Sequence, residues 1–109
     1  MHPERLYLLT RDDLRRGVQA SMLVHAAINL CLRAPDELLH WHRTSNTIVL
    51  VSTENEAHLE AMVRRADAQG LPGVSFLEPD LGGQLASLAL PPGDAARKLC
   101  RGLPLALRG

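Results

Sequence analysis

The sequence predicts an α/β domain, a three-layer α/β/α sandwich around a mixed sheet of about four strands. Three observations carry this reading. Short apolar or β-branched runs recur at Leu6–Thr10, Thr47–Ser52, Val74–Leu77 and Gln84–Leu90. Between them lie two long segments with apolar residues at helical spacing, Gly17–Arg33 and Glu54–Gln69. Strands alternating with helices imply a partly parallel sheet covered on both faces. The Gly82-Gly83 turn between the last two strands implies one antiparallel or mixed pair.

Each element has a local cause. Leu6–Thr10 is short and apolar, as a buried strand is, and Asp12 and Asp13 then offer N-caps. Val18, Met22, His25, Ala26, Asn29 and Leu30 fall near one face of the first helix, which Pro35 ends. Ala34-Pro35-Asp36-Glu37 starts a short second helix over Asp36–His42. Thr47–Ser52 is β-branched and continuous, which predicts a central strand buried on both faces. Thr53, with Glu56 three residues on, reads as a capping box for Glu54–Gln69, and Gly70 closes that helix. Pro91-Pro92-Gly93-Asp94 opens a last helix over Ala95–Arg101, and the apolar tail Leu103–Leu107 could form an edge strand.

The chain has 109 residues, 46% apolar and 22% charged, the size and balance of one folded domain spanning 1–109. No apolar run approaches the roughly 20 residues of a membrane span, and Met1-His2-Pro3-Glu4-Arg5 has no signal-peptide h-region. A cytoplasmic protein without a membrane partner is expected. Cys31 and Cys100 lack CxxC spacing and are expected as reduced core thiols.

Twelve basic and twelve acidic residues cancel, which argues against strong nonspecific nucleic-acid binding. Tyr7, Trp41 and Phe76 are too few aromatics for a base-stacking platform. His40 and His42 flank Trp41 without a carboxylate or Cys at ligand spacing, so no metal site is expected, and nothing points to a cofactor. Gly82-Gly83 is not a phosphate loop. Ser21 and Ser87 lie in no nucleophile-elbow sequence, and His58 falls on a charged helix face.

The segment from Leu6 to Ala27 holds the most chemistry. A strand runs through a charged turn and Gly17 into a helix, gathering free N–H groups and a positive helix end at one point. Arg11, Arg15 and Arg16 lie together there. They read first as a solvated charged turn, and as the other reading they suit bidentate phosphate contacts. His25, among Val24, Ala26 and Ala27, reads as a core histidine partnered by Asn29, with a catalytic base as the other reading.

This succession resembles the archaeal/eukaryotic-type (type 2) peptidyl-tRNA hydrolase family. Arg11-Asp12-Asp13-Leu14 is similar to the family's Arg-x-Asp-Leu, Gly17 and Ala20 to its Gly and first Ala, and His25-Ala26 to its His-Ala. Trp41 precedes the second strand as in the family, Gly70-Leu71-Pro72 matches its Gly-Leu-Pro, and Asp80-Leu81-Gly82 its Asp-x-Gly. Val18 stands where the family has Lys, Met22 where it has Gln, Ser21 where it has the second Ala, and Gln84 where it has Thr.

The resemblance implies a divergent hydrolase of the ester between a peptidyl or aminoacyl group and tRNA. Asp80, Gln84 and His25 are then the candidate catalytic residues, and Arg11, Arg15, Arg16 and Gly17 the candidate phosphate or tRNA ligands. Asp80 would orient or deprotonate water, with amides around Gly17 holding an oxyanion or phosphate and Arg15 or Arg16 replacing the absent Lys. The implied partners are a tRNA acceptor end or another acylated carrier, and a second copy pairing through the apolar Met22-Leu23-Val24 run. A non-catalytic binding or dimerisation module that kept the fold is the alternative.

Overall fold

Leu6 to Arg11 are six consecutive buried residues, which a strand accommodates only when both of its faces are covered. They belong to β1 (Arg5–Arg11), one of the two inner strands of a four-stranded sheet. The computed structural model describes residues 4–108. In chain order the elements are β1, α1 (Arg16–Arg33), α2 (Pro35–Thr44), β2 (Thr47–Thr53), α3 (Glu56–Ala68), β3 (Val74–Glu78), a 3-10 turn (Pro79–Leu81), β4 (Gln84–Leu90) and α4 (Asp94–Leu99).

The sheet order is β2-β1-β4-β3, with β1 parallel to β2 and β4 antiparallel to both its neighbours. The fold is therefore the three-layer α/β/α sandwich around a mixed sheet. Period two divides the core. Leu6 and Leu8 of β1 and Ala89 of β4 meet Leu23, Ala26 and Leu30 of α1 and Leu38 and Trp41 of α2. Tyr7, Leu9, Leu88 and Leu90 meet Leu59, Met62 and Ala66 of α3 and Ala96 and Leu99 of α4 on the opposite face. Connections that leave β1 and β2 in opposite directions along the sheet place their helices on opposite faces when both crossovers are right-handed.

The structure corrects several local expectations. β2 lies at the sheet edge, and its first two residues are exposed. Its β-branched run fits any pleated surface and does not by itself specify the centre. Part of that edge is shielded by the tail, through Ser52 N–H to Pro104 O at 2.9 Å and Ala106 N–H to Leu50 O at 2.8 Å. The tail makes one bridge, Val51 to Leu105, rather than a strand.

The cap of α3 is Asn55, whose side chain accepts from His58 N–H at 2.9 Å. Thr53 instead donates its hydroxyl to Thr10 O at 3.1 Å, and Glu56 accepts from Leu85 N–H at 2.8 Å, tying α3 to β4. Cys31 is exposed and Cys100 buried, so only the second is a core thiol. No helix among the described residues is long and apolar enough to cross a membrane.

Candidate functional site

The site forms where the start of α1 faces the end of β3. Arg15 precedes α1 in an extended conformation, no side chain caps the helix, and its first turn holds no acidic residue. The first intrahelical bond runs from Gln19 N–H to Arg15 O at 2.9 Å. The amides of Arg16, Gly17 and Val18 thus have no acceptor within the helix, and they sit at the positive end of an 18-residue dipole.

Period two along β3 supplies the facing wall. Val74 enters the core under α1, and Phe76, two residues on, stacks on the His25 ring at 4.4 Å between centroids and 7° between planes. Glu78, two further, reaches the cleft. A bulge between Phe76 and Leu77 sets Phe76 opposite Ser87 and Leu77 opposite Leu85, so Ala86 is the extra residue. Its carbonyl accepts from the Thr10 hydroxyl at 3.0 Å.

Beyond β3 the chain turns sharply. Glu78 Oε1 accepts from Asp80 N–H, Gly82 N–H donates to Pro79 O and Gly83 N–H to Glu78 O, each at 3.0 Å. Gly82 and Gly83 have φ of 67° and 81°, the left-handed region where a side chain is strained. This turn presents Asp80 at the rim of a cleft of about 590 Å³, whose α1 wall includes Arg15, Gly17, Val18, Met22 and His25.

Four of the seven residues expected from the sequence therefore converge: Asp80, His25, Arg15 and Gly17. Arg11 and Gln84 lie elsewhere and together. Arg11 is buried, and its guanidinium donates to both oxygens of Asp13, to Gln84 Oε1 and to Leu85 O. Its donors are taken up inside the fold, which corrects its expected role as a phosphate ligand. The hydrogen bond to Asp13 raises the Arg11 pKa and lowers that of Asp13 from its ordinary value. Arg16 turns the other way, towards Arg108 O at 3.4 Å.

His25 is exposed, with Phe76 as its ring partner, which corrects its expected place in an apolar core beside Asn29. Helical spacing puts it at the border of the buried stripe, and the inward positions are Met22, Leu23, Ala26 and Leu30. Glu78 escaped the sequence reading. Its signal was the even spacing from Val74 through Phe76 into the Pro-Asp turn.

The ion pairs among the described residues are Arg11–Asp13, Arg97–Asp94 and Lys98–Asp94, so Asp80 stands outside them. Among those residues no three His, Cys, Asp or Glu side chains gather as metal ligands. Two carboxylates, Glu78 and Asp80, border the cleft with one guanidinium, Arg15, and the free amides at the start of α1. The amides and Arg15 can hold an oxyanion or phosphate, and a carboxylate can orient a water molecule.

The class so defined is a single-sheet α/β/α domain with a cleft of mixed polar and apolar lining at the start of its first helix. No protein-family model and no curated protein matches the sequence. A solved structure of a protein of unknown function, Atu0240 from Agrobacterium tumefaciens strain C58, is similar in fold. The TM-score is 0.72 at 14% identity, over 96% of this chain and 98% of that one. At that identity the likeness is one of fold.

Proposed function

We propose that the chain is a cytoplasmic hydrolase of the ester linking an aminoacyl or peptidyl group to tRNA. The supporting observation is that Asp80, Arg15 and the uncapped start of α1 share one cleft. Asp80 orients or deprotonates the attacking water, and the amides of residues 16–18 with Arg15 hold the developing oxyanion or a neighbouring phosphate. Val18, half-buried and in place of a Lys, gives the same wall apolar surface for the acyl side chain, with the buried Met22, in place of a Gln, behind it. The test is release of a labelled N-blocked aminoacyl group from charged tRNA, with Asp80→Asn expected to lose about 100-fold or more. Absence of release by the unaltered protein ends this reading.

A second reading, an interaction module pairing with another copy, is favoured by one face of α1. Val24, Ile28 and Leu32 are 57%, 50% and 77% exposed at successive turns, and Ile48 of β2 is 53% exposed. Contiguous exposed apolar surface of this kind marks association sites. Of the expected Met22-Leu23-Val24 run only Val24 is available, because Met22 and Leu23 are buried. The solution mass decides between 11.9 kDa and twice that value. Val24→Glu with Ile28→Glu is expected to leave single chains.

A further inference from the structure

We infer that Glu78 is a positioning residue for Asp80, fixing the turn that sets Asp80 at the rim of the cleft. The inference rests on the hydrolase reading.

Three independent restraints meet at Glu78. Its place on β3 is set by the sheet register, since Glu78 pairs with Gln84 as the last rung beside the bulge. Its carbonyl accepts from Gly83 N–H at 3.0 Å, closing the loop from the far side. Its Oε1 accepts from Asp80 N–H at 3.0 Å, capping the 3-10 turn from within. Pro79 between them has a fixed φ and no N–H, so the Asp80 amide is the first donor the turn offers. With that donor held, Asp80 is fixed two residues beyond the end of the sheet, and its backbone swings less.

Apart from the fixed φ of Pro79 and the backbone bonds from Gly82 and Gly83, the turn has little to hold it. Pro79 and Asp80 are exposed and Leu81 only half-buried, so no core packing holds Asp80 in place. Removing the cap therefore acts on the position of Asp80 and leaves the two hydrophobic layers intact. The role requires an acceptor oxygen rather than a charge, because the bond is to a backbone amide. That separates positioning from an electrostatic or proton-transfer role for Glu78 itself.

The experiment compares Glu78→Ala, Glu78→Gln and Glu78→Asp in aminoacyl-tRNA hydrolysis, and follows hydrogen exchange at the Asp80 amide. Glu78→Ala is expected to lower kcat about 10- to 100-fold with KM nearly unchanged. Glu78→Gln and Glu78→Asp keep an acceptor and are expected to stay within about threefold of the parent. A Glu78→Ala protein with parental kcat overturns the inference, and so does a Glu78→Gln protein as impaired as Glu78→Ala. If the unaltered protein releases nothing, the hydrolase reading fails separately and amide exchange decides. Exchange about tenfold faster in Glu78→Ala upholds the restraint on Asp80, and unchanged exchange overturns it.

Discussion

Arg11 Nη1 donates to Gln84 Oε1 at 2.9 Å, joining the last residue of β1 to the first residue of β4. The same nitrogen reaches Leu85 O at 3.1 Å, while Nε and Nη2 fork onto Asp13 at 2.9 and 2.8 Å. The Arg11 side chain is 8% exposed, so its removal strands partners that water reaches poorly. Arg11→Met is expected to cost about 2 kcal/mol, chiefly from the unpaired Leu85 carbonyl and the lost fork. Thermal unfolding should register this as a fall on the order of 10 °C. Arg11→Lys should recover little of it, because an ammonium cannot bridge Asp13 and Gln84 in a fork.

The same pair makes stability depend on acid pH. Arg11 holds the Asp13 carboxyl below its ordinary value of 3.8, first through their hydrogen bond. A carboxyl depressed in the folded state stabilises the fold above its unfolded pKa. That contribution is lost as the pH falls through the folded pKa. Asp13 is 40% exposed, so the effect is screened and modest. Parent and Asp13→Asn should differ in urea midpoint at pH 6, begin to approach each other near the ordinary value of 3.8, and converge as the pH falls through the lowered folded value. A difference that persists at the lowest pH would assign the stabilisation to packing.

How far the sequence spoke depended on whether a pattern or a partner was decisive. Helix and strand positions were legible because helical spacing through Val18, Met22, Ala26 and Leu30, and the apolar runs of β1 and β4, are local properties. The edge position of β2 was not, since Thr47–Ser52 carries no mark of which strands flank it. Thr53 and Asn55 are both good caps two residues apart. Asn55 takes the cap because Thr53 is still in β2, paired with Arg11, and its hydroxyl donates to Thr10 O across the sheet. Arg11 and Arg15 are chemically identical and four residues apart. Only continuation of β1 through Arg11, next to Asp13, turns one inward and leaves the other at the cleft.

The two cysteines should separate by reactivity. Burial pushes the Cys100 thiol up to about 12, whereas Cys31 is exposed on the outer side of α1. The thiolate is the reactive form, so Cys100 has almost none at pH 8. A thiol-specific disulfide reagent should titrate one group promptly in the native protein, and the second at the rate of unfolding. Prompt titration of both would place Cys100 at the surface.

Gly17 allows fold and site to be tested apart. A Cβ built on it meets no atom within 4 Å, and its φ is not left-handed, so the helix does not need glycine there. Alanine is the better helix former by about 0.5–1 kcal/mol, so Gly17→Ala should raise the unfolding midpoint. Gly17 also lines the cleft, together with Arg15 and Asp80. A methyl group beside the free amides of α1 obstructs any phosphate or oxyanion that approaches them. Ester release should then fall about tenfold while stability increases, a loss of transition-state contact without loss of fold. Stability and activity rising together would mean that no substrate atom approaches the Gly17 amide. The anion would then be held chiefly by Arg15, and Arg15→Ala should carry the loss that Gly17→Ala did not.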